Sequence, residues 1–355
     1  MIIWREGVVA ELGASWRGAR ELTVTIEGRP VRALAYPEVV GSPEVGDRAL
    51  VTTAALQRGL GTGGYGFVVA LPDKLPADPA PSLGHLVKAR YTPLQTLVLG
   101  VDEQESEHHE LLRDADDLAG LPVVVADLHS ALPAIVAGIR SVRSDARVVY
   151  VMSDGGALPL WFSRAVAGLR EAGWLAAAVT VGQAFGGDVE AVSLHSGLLA
   201  ARLVLDADVA VVTQGPGNLG TGTRWGFSGV AAGDAVNAVA TLGGRPIASL
   251  RVSAADPRDR HRGVSHHSLT AYGRVALARA DVVVPVLDGE LGVLVRSQAR
   301  ALGDRHTLVS IAVDGLEEAL RAVPVPLSTM GRGLDEDATP FLAAAAAGVH
   351  AATVA

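Results

Sequence analysis

The sequence lacks cysteine, an excess of basic residues and any long apolar run, and each absence excludes a class of protein. Without thiols the chain forms no disulfide, thiolate nucleophile, iron–sulfur cluster or cysteine-based zinc site. A net charge of −8 argues against a general nucleic-acid binder. No stretch of about 18 apolar residues could span a membrane, and the first residues, Met-Ile-Ile-Trp-Arg-Glu, do not resemble a signal peptide. We therefore expect a cytoplasmic protein with no nucleic-acid or membrane partner.

What the chain does contain is apolar material: 49% of its 355 residues are hydrophobic, enough for a large core and more than one domain. In residues 1–75, short β-branched segments separated by turn signals predict a small antiparallel β-barrel. Its predicted strands are Ile2–Leu12, Glu21–Glu27, Val31–Tyr36, Asp47–Thr53 and Gly66–Leu71. Glu27-Gly28-Arg29 predicts a hairpin turn, and the glycine-rich residues 60–67 predict a second hairpin with a β-bulge.

A proline-rich stretch then changes the organisation, so residues 76–95 are interpreted as a linker and a lead-in segment. Over residues 96–322, near-continuous apolar runs alternate with helical patterns, which predicts a doubly wound, mostly parallel Rossmann-like sheet. The predicted strands are Leu97–Val101, Pro122–Ala126, Arg147–Met152, Ala176–Val181, Asp208–Thr213, Pro246–Val252, Asp281–Val286 and His306–Ala312. Residues 323–355 end in an alanine-rich segment that suits either a docked helix or a frayed tail.

The loop Gln214–Phe227 is the most informative local feature, because five glycines and two threonines follow directly on a predicted buried strand. Glycine allows positive φ angles and close backbone approach, so N–H groups can converge on a phosphate or carboxylate. The candidate ligand-binding residues in the loop are Gly215, Gly217, Gly220, Thr221, Gly222, Thr223 and Arg224. The structural alternative is a tight turn into the next helix. The spacing matches no P-loop, and a lone G-x-G-x-x-G is weak, so the cofactor stays undefined.

Polar residues also follow three other predicted strands, at the sheet edge where doubly wound proteins bind ligands. Asp127 and His129 follow one strand, Asp154 the next and Asp188 the third. We predict that Asp127, His129 and Asp154 act as acid–base groups and that Asp188 binds ligand. The alternative for Asp188 is a helix cap.

The segment 251–270 has the highest density of reactive side chains. Its candidates are Arg258, Arg260, Arg262, His261, His266 and His267. Guanidinium groups suit carboxylate or phosphate oxygens, and histidines transfer protons near neutral pH or bind metals. A metal site would combine His261, His266 or His267 with Asp127, His129 or Asp154. Neighbouring side chains diverge by about 100° in a helix and 180° in a strand, so adjacent histidines seldom share an ion and no metal ligand is predicted. The structural alternative is a histidine that caps a helix near Ser265 and arginines that pair with Asp256 and Asp259.

Five strings of the sequence together resemble a bacterial family known only as a domain of unknown function. They occupy residues 86–95, 151–159, 183–192, 215–227 and 256–268. The most specific are Gly-Pro-Gly-Asn-Leu-Gly-Thr-Gly-Thr-Arg-Trp-Gly-Phe and Asp-Pro-Arg-Asp-Arg-His-Arg-Gly-Val-Ser-His-His. The similarity covers nearly the whole chain and implies no activity.

Two classes of function fit these residues. One is an enzyme that acts on a small phosphorylated or carboxylated metabolite, with the glycine loop and arginines as anion binders and histidine and aspartate as acid and base. The other is a non-catalytic nucleotide- or metabolite-binding protein with a regulatory or assembly role. In both, the expected partner is a small anionic molecule, and the apolar composition is compatible with a homodimer. Arg224→Ala should then weaken anion binding more than loss of Arg170, which lies on a helix pattern interpreted as facing water.

Overall fold

The computed structural model describes residues 2–60, 63–79 and 83–355, and the chain forms two compact units. The first unit comprises residues up to Val98 together with Trp161–Ala167, and the second comprises Leu99–Leu160 and Gly168–Ala355. Residues 80–82 of the predicted linker and residues 61 and 62 of the second predicted hairpin lie outside the described residues. The predicted α/β fold class is confirmed: a five-stranded barrel is followed by a large parallel sheet with flanking helices.

The first unit is built on the closed five-stranded barrel. Its elements are β1 (Trp4–Trp16), β2 (Ala19–Ile26), β3 (Arg29–Ala35), α1 (Pro37–Val40), β4 (Arg48–Thr52), α2 (Ala54–Gln57) and β5 (Gly66–Ala70). The predicted hairpin joins β2 to β3 through Glu27 and Gly28, whose φ angles of 51° and 75° suit a type I′ turn. β3 and β5, however, pair in parallel. An odd number of strands cannot alternate in direction all the way around a closed ring, so one parallel pair is required.

Only the end of the predicted strand Leu97–Val101 joins the large sheet: Gly100 forms an isolated parallel bridge to Glu190, and the Val101 amide donates to the Glu190 carbonyl. Its first residues belong to a separate antiparallel ribbon in the first unit, formed by β6 (Leu86–Lys88) and β7 (Thr96–Val98). Leu97 is 62% exposed. A segment with a side chain this exposed cannot be a parallel strand that is covered on both faces.

The second unit is organised around an eight-stranded sheet in which every pair of neighbours is parallel. The remaining strands are β8 (Pro122–Val125), β9 (Val148–Ser153), β10 (Ala177–Thr180), β11 (Val189–Glu190), β12 (Val209–Gln214), β13 (Arg245–Ser249), β14 (Val252–Ser253), β15 (Gly263–Val264), β16 (Asp281–Val286), β17 (Thr307–Ala312), β18 (Ser328–Thr329) and β19 (Arg332–Gly333). The sheet order is β11-β10-β9-β12-β8-β13-β16-β17. The central strands β8 and β12 are buried along their whole length, which is why they appear in the sequence as uninterrupted apolar runs.

Helices cover both faces of this sheet. They are α3 (His109–Leu112), α4 (Leu132–Val142), α5 (Arg164–Glu171), α6 (Leu194–Leu203), α7 (Ala232–Thr241), α8 (His266–Thr270), α9 (Gly289–Ala299), α10 (Leu316–Arg321) and α11 (Thr339–Val354). α4 packs against α11, and α6 packs against α7. The chain moves in opposite directions along the sheet through α4 and α7, so right-handed crossovers place them on opposite faces. None of the helices in the described part of the chain has the length and apolar character needed to cross a bilayer.

The alanine-rich C-terminal segment is a docked helix rather than a frayed tail. α11 is buried around most of its circumference, as expected for a helix without a polar face. Glycines allow its close approach to α4: a Cβ at Gly138 would overlap the carbonyl oxygen of Ala345, and one at Gly348 would overlap that of Ile135. Small residues at the crossing therefore let the two helix backbones nearly touch.

Candidate functional site

Two neighbouring strands send the chain to opposite faces of the sheet, and this switch point locates a cleft. β8 leads into α4 and the adjacent β12 leads into α7. Ligands of doubly wound proteins bind at the carboxyl ends of such strands. A cavity of about 330 Å³ lies there, and its wall includes Asp127, Asp154, Gln214 and the first residues of α6. The cleft is therefore formed by sequence-distant strand ends that the topology brings together.

Asp127 is buried, unlike Asp154 and Asp234, the other two acidic residues that line the large cavity. It follows β8, is 3% exposed, and lines both the large cavity and a smaller one of about 30 Å³. Its backbone carbonyl accepts a hydrogen bond of 2.7 Å from Gln214 Nε2. Its Oδ2 atom is buried and has no hydrogen-bond partner among the described residues. A buried carboxylate oxygen without a donor costs free energy, so it needs a physical explanation.

Three histidine rings pack together beside Asp127. The ring centroids of His261, His266 and His267 lie between 4.4 and 5.0 Å apart. One nitrogen from each ring lies within 4.8 Å of the other two. The expected divergence of adjacent histidines is therefore wrong here, because side-chain torsions bring the rings of His266 and His267, the first two residues of α8, back together. Burial lowers the pKa of His261 to about 3 and that of His266 to about 4, so both rings are neutral at pH 7.

Contacts outside the cluster hold these rings in place. His261 Nδ1 lies 2.8 Å from Ser265 Oγ, which also accepts a hydrogen bond from the His267 backbone and so caps α8. Phe227, the last residue of the glycine loop, stacks on His267 with 3.8 Å between centroids. The structural alternative placed a histidine as the cap of this helix, and that part of it is wrong, because Ser265 is the cap. Ser265 therefore orients the ring of His261, and Phe227 packs against the ring of His267.

His267 connects the cluster to two charged groups. Its Nδ1 atom lies 3.2 Å from Arg251 Nη1 and 3.7 Å from Asp127 Oδ2. Burial lowers the pKa of Arg251, and the negative charge of Asp127 opposes that shift. A cation, an imidazole and a carboxylate thus lie side by side, but only the contact between Arg251 and His267 is within hydrogen-bonding distance.

The predicted arginines have different surroundings. Arg258 forms hydrogen bonds of 2.8 and 2.9 Å to Asp256, which hold the pKa of this carboxyl far below its usual range. This pair matches the structural alternative. Arg260 and Arg262 are exposed and form no ion pair within the described chain, so their charges are available to a ligand. Arg251 forms no ion pair with a described carboxylate either.

The glycine loop satisfies many of its donors internally. The Thr221 amide donates to the Gly226 carbonyl at 2.7 Å, and the Gly226 amide donates to Thr223 Oγ1 at 3.1 Å. Gly220 pairs with Phe227 in an antiparallel bridge, so the loop forms a small hairpin. Its candidate residues, Gly215 through Arg224, line neither described cavity. Phe227 is the residue that joins the loop to the histidines.

The other predicted site residues are placed apart from this cluster or have partners. Asp154 lines the large cavity, and its Oδ2 accepts a hydrogen bond of 2.9 Å from the Gln183 amide. His129 Nδ1 lies 3.0 Å from Tyr150 Oη, and burial lowers its pKa to about 4. Asp188 accepts hydrogen bonds from the Ala178 amide and from Arg170, at 2.8 and 3.0 Å.

The interpretation of Arg170 as a water-facing residue is wrong. Its guanidinium is partly buried and bonds the Leu175 carbonyl as well as Asp188. The helical period placed it on an outward face, but the side chain reaches along the surface to groups that the period cannot identify. Arg170 therefore cannot serve as a neutral control for ligand binding.

Three residues that matter for the site were not predicted. Gln214 Nε2 bonds both Asp127 and Asn218, and its Oε1 is buried without a partner in the described chain. Asp337 accepts a hydrogen bond of 2.6 Å from Ser253, and Arg332 lies 3.5 Å from Asp256. Gln214 could have been predicted from the sequence, because it ends a strand at the sheet edge where ligands bind. Residues 332 and 337 lie in a tail with no local pattern that indicates a site.

The barrel and the doubly wound sheet with a polar cleft at its switch point define a Rossmann-like α/β protein. The chain belongs to the family described as protein of unknown function (DUF3866), whose model matches residues 32–348. This confirms the resemblance inferred from the sequence motifs. No curated protein matches the chain.

Proposed function

We propose that this protein binds a small phosphorylated or carboxylated metabolite and acts on it by acid–base chemistry at the cleft around Asp127. The observation that supports the proposal most is the Oδ2 atom of Asp127, which is buried, has no hydrogen-bond partner in the described chain and lies 3.7 Å from His267 Nδ1. An unpaired buried acceptor costs about 1–3 kcal/mol, more when charged. Such a cost is tolerated where a ligand or a reaction uses the group.

Recognition of the anionic group is assigned to Arg260, with Arg251 deeper in the site. Arg260 is exposed without an ion pair in the described residues, and its positive charge contributes to the lowered pKa of His266. A Cβ built on Gly222 would lie 3.7 Å from Arg260 Nη2, so the glycine loop borders the same guanidinium. A charge-assisted bond to Arg260 would place an anion beside the histidines.

Proton transfer is assigned to Asp127. Burial keeps His261 and His266 neutral at pH 7, and because it lowers their pKa it also makes both rings weaker bases than a free imidazole. A positioned acid or base accelerates a reaction by about 10²- to 10⁴-fold. The 330 Å³ cavity beside Asp127 has room for the body of a small metabolite.

The non-catalytic alternative is supported by a separate observation. The large cavity is lined by Asp154 and Asp234 together with Ser193 and Ser228. These groups could hold a sugar or nucleotide without any bond being broken.

Isothermal titration with inorganic phosphate, ribose 5-phosphate and AMP tests the proposal on wild type, Arg260→Ala and Arg300→Ala. Arg300 is an exposed arginine of the same unit with no ion pair in the described chain and serves as the matched control. Arg260→Ala should weaken binding about tenfold, the equivalent of one charge-assisted hydrogen bond. Absence of binding by wild type, or equal losses in both variants, contradicts the proposal.

Turnover separates the two functions. NMR of each bound metabolite should show conversion by wild type and a loss of roughly 10²-fold or more in Asp127→Asn, with binding retained. Binding without conversion by wild type would favour the regulatory or assembly role.

The homodimer and the cytoplasmic location remain proposals. Support for the dimer comes from β17, one of the two edge strands of the large sheet, which is exposed or half-buried along its length. Free strand edges pair readily with other chains. Sedimentation of wild type and Ile311→Lys would show a monomeric variant if β17 forms the interface. The location is supported by the sequence alone.

A further inference from the structure

The three clustered histidines have the arrangement of a metal-binding site as well as of a proton relay. We propose that His261, His266 and His267 together bind one divalent transition-metal ion of the zinc class, and that Asp127 positions His267 for this role. This inference deepens the proposed function and rests on it for the catalytic role of the site. The histidines would be the ligands of the ion, and Asp127 would remain the proton-accepting group.

The distances suit this assignment. One nitrogen of each ring lies within 4.8 Å of the other two. A tetrahedral zinc ion with bonds of about 2.0–2.1 Å sets its nitrogen ligands about 3.4 Å apart. Binding would therefore draw the three nitrogens closer together than they lie in this structure. Three protein ligands would leave a fourth position open, which is typical of catalytic rather than structural zinc sites.

Each ring has a nitrogen that can face the ion. Ser265 Oγ bonds His261 Nδ1, which leaves Nε2 of that ring available. His266 Nε2 is buried and has no hydrogen-bond partner among the described residues. This atom carries the proposal, because a buried ring nitrogen without a partner needs water, a ligand or an ion.

The third ring depends on Asp127. His267 binds through Nε2 only if Nδ1 carries the proton, because a neutral imidazole has one N–H and one lone pair. That N–H needs an acceptor, and the unpaired Asp127 Oδ2 lies 3.7 Å away. Arg251 Nη1, at 3.2 Å, can only donate, so ion binding would exchange the Arg251 contact for a bond to Asp127. Carboxylate partners of this kind orient most metal-bound histidines.

Zinc titration calorimetry on chelator-treated full-length protein tests the site. We expect wild type to bind one Zn²⁺ per chain and His266→Ala to lose more than the roughly 10–100-fold typical of outer partners. His108→Ala is the matched control, since His108 is a partly exposed histidine of the same unit and should leave the affinity unchanged. Substitution with Co²⁺ should give the visible absorption of a tetrahedral nitrogen site in wild type but not in His266→Ala.

Asp127→Asn tests the positioning role. Its zinc affinity should fall by about 10–100-fold with one ion still bound, and the Co²⁺ spectrum should keep its tetrahedral form. Circular dichroism of each variant shows whether weaker binding comes from loss of a ligand or from unfolding. The Co²⁺ spectrum of wild type tests the site even if a variant does not fold. No stoichiometric binding by wild type, or an unchanged affinity in His266→Ala, would overturn the site.

The metal proposal and the anion proposal can fail separately. Phosphate titration in the presence of chelator reports on Arg260 alone, whereas zinc titration without phosphate reports on the histidines alone. Zinc binding without phosphate binding would leave the metal site standing and remove the anion role. The reverse result would remove the metal site only.

Discussion

The glycine loop Gln214–Phe227 and the segment Arg251–Thr270 are both rich in hydrogen-bond donors, yet they use them differently. In the loop, the amides of Thr221 and Gly226 bond groups of the loop itself, and the residues from Asn218 through Trp225 are largely exposed. In the segment, His261 and His267 are buried, and His266 Nε2 lacks a partner in the described chain. A high density of donors therefore indicates a turn as readily as a site. Buried polar atoms without partners are the more specific sign of function.

The largest expected effect is a loss of folding stability in acid. It should arise from the buried His129 and not from the glycine loop. Burial lowers the pKa of His129 to about 4 from 6.5, so the folded protein keeps this ring neutral. Below pH 6.5 His129 becomes protonated in the unfolded chain, whereas in the folded chain it is protonated only near pH 4. Stability is therefore complete above pH 6.5 and falls as the pH drops towards 4, by up to about 3 kcal/mol for this group.

Urea unfolding at neutral pH and at about pH 4.5 measures this loss in wild type, His129→Gln and Thr223→Ala. The loop variant should lose as much stability as wild type, whereas His129→Gln should lose less. A His129→Gln protein with the full wild-type loss would show that His129 does not carry the effect.

A matched pair of glycine substitutions gives the next largest effect. Gly263 in β15 has a φ of +69°, and a Cβ there would overlap Gln298 Oε1, which accepts a hydrogen bond from the Val264 amide. Gly220 in the loop has no atom within 4 Å of a built Cβ and no positive φ. Gly263→Ala should cost about 2 kcal/mol in free energy of unfolding, and Gly220→Ala should stay within roughly 0.5 kcal/mol. Similar losses in chemical denaturation would remove the contrast between the two regions.

The smallest predicted effect concerns the loop arginine. Arg224 and Arg260 are both exposed and line neither cavity, but the charge of Arg260 lowers the pKa of His266, whereas Arg224 is not among the charges that act on that ring. We expect Arg224→Ala to weaken phosphate binding no more than about twofold, compared with about tenfold for Arg260→Ala. Competition titrations with a common phosphorylated ligand resolve the difference. A larger loss of affinity in Arg224→Ala would show that the glycine loop binds the anion, as the sequence predicted.

Local patterns in the sequence were sufficient for most of the fold. The turn at Glu27-Gly28 and the apolar runs of β8 and β12 follow from φ preferences and from burial on both faces, which act over a few residues. The short strand Val189–Glu190 could not be recognised, because two residues carry no periodic signal. The parallel closure of the barrel depends on the strand order, which no local pattern contains.

The site was predictable only in part. Asp127 and Asp154 could be found because topology fixes where strands end. The meeting of His261 with His266 and His267 depends on side-chain torsions, and backbone geometry alone argued against it. The bond from Asp337 to Ser253 joins residues that are separated by 84 positions. Such contacts become visible only when the tertiary structure is known.

The most direct test of the central claim is a crystal structure of wild type soaked in zinc and inorganic phosphate, with anomalous diffraction recorded at the zinc edge. The account predicts one zinc peak between the rings of His261, His266 and His267, and phosphate within hydrogen-bonding distance of Arg260. Phosphate held instead by the amides of residues 215–224, with no zinc peak at the histidines, would contradict it.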